Sequence, residues 1–231
     1  MQRRMLSVLA LAATCGYPGL TARAQTPAAV PPEKRVVVVG FLGAFDHPRN
    51  QRKGMVRIAS RLEALGCADA EIAVASGWRW NRVYKSIRRL VDDDANGRIS
   101  EAEIARTPTI VAYGHSLGGW AVIKLAEKLG KERIPVALTV QVDSVGIGDE
   151  VVPANVRAAA NFYQRGNWFL RGENRIRTQD SERTTLLGNF FIRHVGHLKL
   201  SRDTQVSDFI TEAVGSRCQR ATATAPGVPP G

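Results

Sequence analysis

Thr109–Leu129, TIVAYGHSLGGWAVIKLAEKL, leaves the chain few folds to choose from. Thr109–Tyr113 is a continuous apolar run, the pattern of a strand buried on both faces. Trp120–Leu129 carries apolar residues at helical spacing, and Gly130 closes it. Only a short glycine-rich turn separates them, so strand and helix must pack together at once. Strands that feed directly into helices belong to a parallel α/β architecture, not to a hairpin stack or a helix bundle.

The alternation continues on both sides. Arg35–Phe41 (RVVVVGF), Glu71–Ala75 and Val136–Val142 read as further strands, with a last one within Thr185–Arg193. Met55–Leu65, Asn81–Val91, Asn155–Tyr163 and Asp203–Ala213 read as helices. Asn167–Thr185 reads as loop, and Asn161–Asp180 as the segment most open to movement. The expectation is one α/β domain over residues 34–214, a mainly parallel sheet flanked by helices with right-handed crossovers. A Pro/Ala linker, residues 25–33, precedes it, and a biased, flexible tail over 215–231 follows.

The chain opens MQRR, then an apolar run, then TARAQ, which reads as a secretory signal cut after Ala24. The apolar run is too short to span a bilayer, and no other run approaches the ~20 apolar residues that spanning needs. A lipoprotein signal at Cys15 fits less well. Export places the protein in the periplasm or outside the cell. Losing Arg3, Arg4 and Arg23 lowers the formal charge from +11 to +8. That excess favours anionic surfaces such as cell envelope or membrane, while no nucleic-acid motif accompanies it. Cys67 and Cys218 then remain as an even pair in a compartment that permits a disulfide.

Gly114-His115-Ser116-Leu117-Gly118 fits G-x-S-x-G, and its context is a strand running in and a helix running out. Such a turn exposes the Ser116 hydroxyl as a nucleophile. The first amides of the new helix, Leu117 foremost, then point at any developing oxyanion. His115 should face the opposite way, into the fold, as support.

GHSLGGW resembles the elbow of the α/β-hydrolase family, its lipases and esterases above all, with a likeness running from about Arg35 to Val214. The resemblance implies a compact version of that fold. It also implies a catalytic serine, acid and histidine in that chain order. Asp143 directly follows the apolar run VALTVQV, at the carboxyl edge where ligands bind in such sheets. Asp149 is the second choice, and Glu173 or Asp180 would serve if the acid follows a later strand. Downstream of Asp143 stand His194, inside the strand-like stretch, and His197, in the loop where the family's base is expected; His197 is preferred. A second oxyanion amide should follow the first strand, at Phe41 or Leu42. His47 in the same loop reads as surface.

Asp92–Glu103 (DDDANGRISEAE) satisfies D-x-[DN]-x-[DN]-G-x₅-E. Asp92, Asp94 and Asn96 offer side-chain oxygens, Arg98 its carbonyl and Ser100 a water site. Glu103 can bind through both oxygens, and Gly97 allows the sharp turn. The loop resembles an EF-hand and implies structural Ca²⁺. Against this stand its single copy and Pro108, which cuts the exiting helix short; the competing reading is an acidic loop with Ser100 as a helix cap. No organic cofactor is implied. The sequence thus points to a secreted serine hydrolase of carboxylic esters or lipids. A thioesterase or acyltransferase, or a non-catalytic calcium-binding interaction protein on the same scaffold, are the alternatives.

Overall fold

The computed structural model describes residues 35–66, 70–166 and 170–223, with side chains to 218. The expected signal and linker, and Cys67, fall outside them. Among the described residues, no helix is long and apolar enough to cross a membrane.

Six strands form one parallel sheet in the order β2-β1-β3-β4-β6-β8. These are β1 (Val36–Leu42), β2 (Ala70–Ser76), β3 (Thr109–His115), β4 (Leu138–Val142), β6 (Ala158–Tyr163) and β8 (Thr185–Phe191). Two-residue strands β5 (Val151–Val152) and β7 (Arg177–Thr178) pair separately. The helices are α1 (Gly54–Ala64), α2 (Trp80–Val91), α3 (Glu101–Arg106), α4 (Leu117–Gly130), α5 (His197–Leu200) and α6 (Thr204–Ala223).

Every residue of β1 is buried because the two faces of the sheet are both covered. Val36, Val38 and Leu42 join a core with Met55, Ile58 and Leu62 of α1 and Val206, Ile210 and Val214 of α6. Val37, Val39 and Phe41 point the other way, against Ile87 and Val91 of α2 and Val122, Leu125 and Leu129 of α4. Alternate residues of one apolar run therefore serve two cores.

The chain leaves β1 for β2 on one side and then crosses to β3 on the other. A crevice opens at the carboxyl ends of strands where connections diverge in this way.

The sequence misplaces two elements. Asn155–Tyr163 is not a helix: Ala158–Tyr163 is β6, inserted between β4 and β8. Its alanines suit a helix, but a slot between two strands overrides that preference. Asn155 fixes the chain's approach by donating to the carbonyls of Ala126 (3.0 Å) and Ile134 (2.9 Å). The tail expected from residue 215 is helical as far as Ala223, because α6 continues past Gly215. Within Asn161–Asp180, Asn161 and Ile176 are fully buried and the Ile176 amide donates to Asn189 Oδ1 at 2.8 Å. Those parts are anchored in the core rather than free to move.

Cys218 is buried and disulfide-bonded. Its expected partner, Cys67, lies outside the described residues.

Candidate active site

Ser116 occupies the single step between β3 and α4 with φ 58° and ψ −126°. A non-glycine residue held at positive φ costs of order 1–3 kcal/mol and persists only where its surroundings enforce it. Here the neighbours enforce it. The Ser116 amide donates to Val142 O at 3.0 Å, and its carbonyl accepts from Gly119 N at 2.8 Å and Val145 N at 3.1 Å.

Close approach explains the flanking glycines. A Cβ on Gly114 would lie 2.2 Å from Gly118 O, and one on Gly118 would lie 2.2 Å from Phe41 O. Both clashes involve backbone, which cannot swing aside as a side chain could. The Leu117 amide begins α4, among the helix's unpaired first-turn donors.

Asp143 immediately follows β4, also at positive φ, 46°. It is wholly buried, and its carboxylate is filled by donors on both oxygens. Oδ1 accepts from the Gly172 amide at 3.0 Å; Oδ2 accepts from Gln164 Nε2 at 2.9 Å and from His197 Nδ1 at 2.7 Å. With Nδ1 donating there, Nε2 is the His197 ring nitrogen not committed to Asp143. His197 opens the short helix α5 between β8 and α6, with Gly196 as N-cap, rather than lying in a loop.

The other candidates are not brought to His197. Asp149 is buried, but it accepts from the Ser144 hydroxyl, and its carbonyl accepts from Gln141 Nε2 at 2.7 Å. Glu173 sits nearby, its carboxyl raised above the usual range by burial and then by Asp149 and Glu150. Asp180 caps a turn, accepting from the amides of Glu182 (2.9 Å) and Arg183 (3.3 Å). His194 is exposed at a positive-φ turn, and His47 is exposed with Nδ1 accepting from the Arg49 amide at 3.2 Å.

His115 faces inward, as its place in the strand requires. Its Nε2 donates to His197 O at 2.8 Å, and the two rings lie 4.7 Å apart between centroids. Burial, and then the neighbouring His197, push its pKa down to about 4. It is a neutral prop under the backbone of His197.

Phe41 and Leu42 lie within β1, Phe41 paired on both sides with Ala75 and Gly114, and Leu42 with Ser76. The backbone beside the serine is one step further on: a Cβ on Gly43 would sit 3.6 Å from Ser116 Cβ.

Sequence reasoning missed Gln164 and Gly172. They lie in irregular chain after β6, where no periodicity marks a residue that supports a carboxylate.

At the opposite, amino edge of β3, oxygens of Asp92, Asp94 and Glu103 lie within 4.8 Å of one another. Ser100 caps α3, accepting from the Glu103 amide at 3.3 Å, while Glu103 accepts back from the Ser100 amide at 2.8 Å. Hydrogen bonds from the Ser100 amide and hydroxyl, and then from the Asp93 amide, hold the Glu103 carboxyl down to about 2.

No known protein family matches this sequence as a profile, and no curated protein matches it. Solved structures do. A chain from the metagenome-derived lipolytic enzymes LipS and LipT superposes with a TM-score of 0.50 at 12% identity, over 81% of this chain and 95% of its own. The chain has an α/β-hydrolase fold. Est1E from Butyrivibrio proteoclasticus lies further off, with a TM-score of 0.42 at 13% identity over 84% of this chain and 90% of its own. At such identity the likeness speaks for the fold, and the chemistry rests on the residues themselves.

Proposed function

We propose that this α/β-hydrolase-fold protein is an exported serine hydrolase that cleaves carboxylic esters or lipids through Ser116, His197 and Asp143. The observation that carries the reading is the buried 2.7 Å contact between His197 Nδ1 and Asp143, at the sheet edge that also presents the strained Ser116.

The chemistry follows from that arrangement. Asp143 holds the Nδ1–H tautomer, so His197 Nε2 takes the Ser116 proton as Oγ attacks the ester carbonyl carbon. The carbonyl oxygen gains the negative charge, and the Leu117 amide with a donor from the turn after β1 stabilises it. Collapse breaks the bond to the alcohol, which leaves with the proton from His197. Water then attacks the acyl-enzyme, giving its proton to His197, and the acid departs as Ser116 recovers its hydrogen.

Apolar side chains on the carboxyl-edge loops favour an acyl substrate. Phe45 follows β1, Trp78 follows β2, Ile147 follows β4 and Leu198 adjoins His197, and all four are large hydrophobics left exposed. Trp78 and Trp120 anchor these loops, donating to Ala44 O and Ile147 O at 3.3 Å each.

A fluorophosphonate probe tests the assignment. The mature protein should be labelled once, and Ser116→Ala should abolish labelling while leaving the melting temperature near that of the parent. A parent that takes no label, or a label that survives the substitution, removes the reading. A p-nitrophenyl ester series of rising chain length then separates esterase from lipase preference.

A further inference from the structure

The α2–α3 connection holds more negative charge than its own cations neutralise. Five carboxylates lie in or beside it. Two are matched outside the cluster: Asp93 pairs with Arg106 at 2.7 Å, and Glu101 pairs with Arg133. The remaining three, on Asp92, Asp94 and Glu103, converge to within 4.8 Å. Among the described residues one cation pairs with them directly, Arg88, which bonds Asp92 Oδ2 at 3.0 Å. Three carboxylates against one ion-paired cation leave the cluster net negative, as a cation site requires.

A second observation points into the same space. The Asp92 side chain is 6% exposed, and its Oδ1 is buried with no hydrogen-bond partner among the described residues. A buried carboxylate oxygen without a donor costs several kcal/mol unless a cation or water meets it. Its sister Oδ2 is fully engaged by Arg88 and the Gly97 amide (3.1 Å). The Oδ1 atom is therefore free to accept a ligand.

We propose that Asp92–Glu103 binds one Ca²⁺ ion through Asp92, Asp94, Asn96, the Arg98 carbonyl and Glu103, with Ser100 holding a water. All donors are oxygens on a loop turned by Gly97 at φ 81°, which suits the larger ion over Mg²⁺ with its strict octahedron. Arg88 already supplies one charge at Asp92, so the affinity is modest, with Kd on the order of 10⁻⁴–10⁻³ M.

The ion has a structural reach beyond its loop. Arg88 also bonds Gly97 O at 2.7 Å and Glu132 at 2.8 Å, and Glu132 accepts from Tyr84. Glu132 and Arg133 follow the end of α4, the helix that begins beside Ser116. Calcium therefore ties α2, α3 and the far end of α4 together, away from the reacting serine.

The test needs no turnover, so its outcome is separate from the hydrolytic reading. The chelator-treated full chain is titrated calorimetrically with CaCl₂ and then, afresh, with MgCl₂, alongside thermal melts. One equivalent of Ca²⁺ should bind and raise the melting temperature, with Mg²⁺ at least tenfold weaker. Among the described residues Asp94 bonds Asn96 alone, so Asp94→Ala should fold normally, melt no lower without calcium, and lose calcium affinity at least tenfold. Glu103→Gln should lose it too. Absence of both heat and melting shift up to ~10 mM Ca²⁺, well above extracellular-type Kd values, would overturn the site. So would binding that survives both substitutions, or equal binding of Mg²⁺.

Discussion

Protonating His115 means placing a charge where the fold provides no solvent for it. The residue is 4% exposed, its Nε2–H is committed to His197 O, and its Nδ1 is buried without a partner among the described residues. Asp143 and Asp46 favour the charged form, but burial and the adjoining His197 outweigh them and hold the pKa at about 4 against 6.5 in a free side chain. The unfolded chain therefore binds this proton more readily than the folded one. The stability that depends on a neutral His115 is whole above pH 6.5 and drains as pH falls toward 4. At 1.36 kcal/mol per pKa unit, that loss comes to roughly 3 kcal/mol, a large share of what a domain has to spend.

His115→Gln isolates the effect, since an amide N–H can still reach the His197 carbonyl and does not titrate. Unfolding free energies from urea melts are compared between parent and variant at several pH values. The parent's advantage should shrink by ~3 kcal/mol between neutral pH and pH 4. Following the His115 ring protons directly by NMR should give a midpoint near 4. A parent–variant difference that stays constant with pH, or a ring that titrates near its free value, would refute the argument.

Two further substitutions test the site. Asp143→Asn keeps the shape but favours the wrong tautomer of His197, and kcat/KM for a p-nitrophenyl ester should fall by about 10⁴; a loss below tenfold would remove Asp143 from the mechanism. Gly118→Ala places a Cβ 2.2 Å from Phe41 O, and denaturant melts should show a loss of about 1–3 kcal/mol despite the gain in helix propensity.

How much of this could be read in advance depends on how local the cause is. β1 and β3 were legible because burial on two faces forces a continuous apolar run, whatever lies around it. The turn at Ser116 was legible because the contacts of α4 with β3 and β1 admit only glycine at positions 114 and 118. β6 was not, since Ala158–Tyr163 becomes a strand through its slot between β4 and β8, a fact of topology with no mark in its own residues. Asp143 and His197 could be placed by their position after strands. The residues that hold Asp143 could not, because Gln164 and Gly172 come to it across irregular chain.

The same logic separates the two polar clusters. At the Asp143 carboxylate, two side chains and a backbone amide engage both oxygens, so the charge is consumed in orienting one imidazole. At Asp92 one oxygen is satisfied and the other has no partner among the described residues, beside two more carboxylates. The two clusters lie at opposite ends of the α4 layer, the first beside the helix's opening residues and the second tied through Arg88 to Glu132 just past its end. An ion at the second would then alter the melting of the frame that carries Ser116 without touching the step that Ser116 performs. Calcium should therefore raise the temperature at which ester hydrolysis fails and leave kcat at low temperature unchanged. A calcium-dependent kcat well below the melting range would instead place the ion in the chemistry.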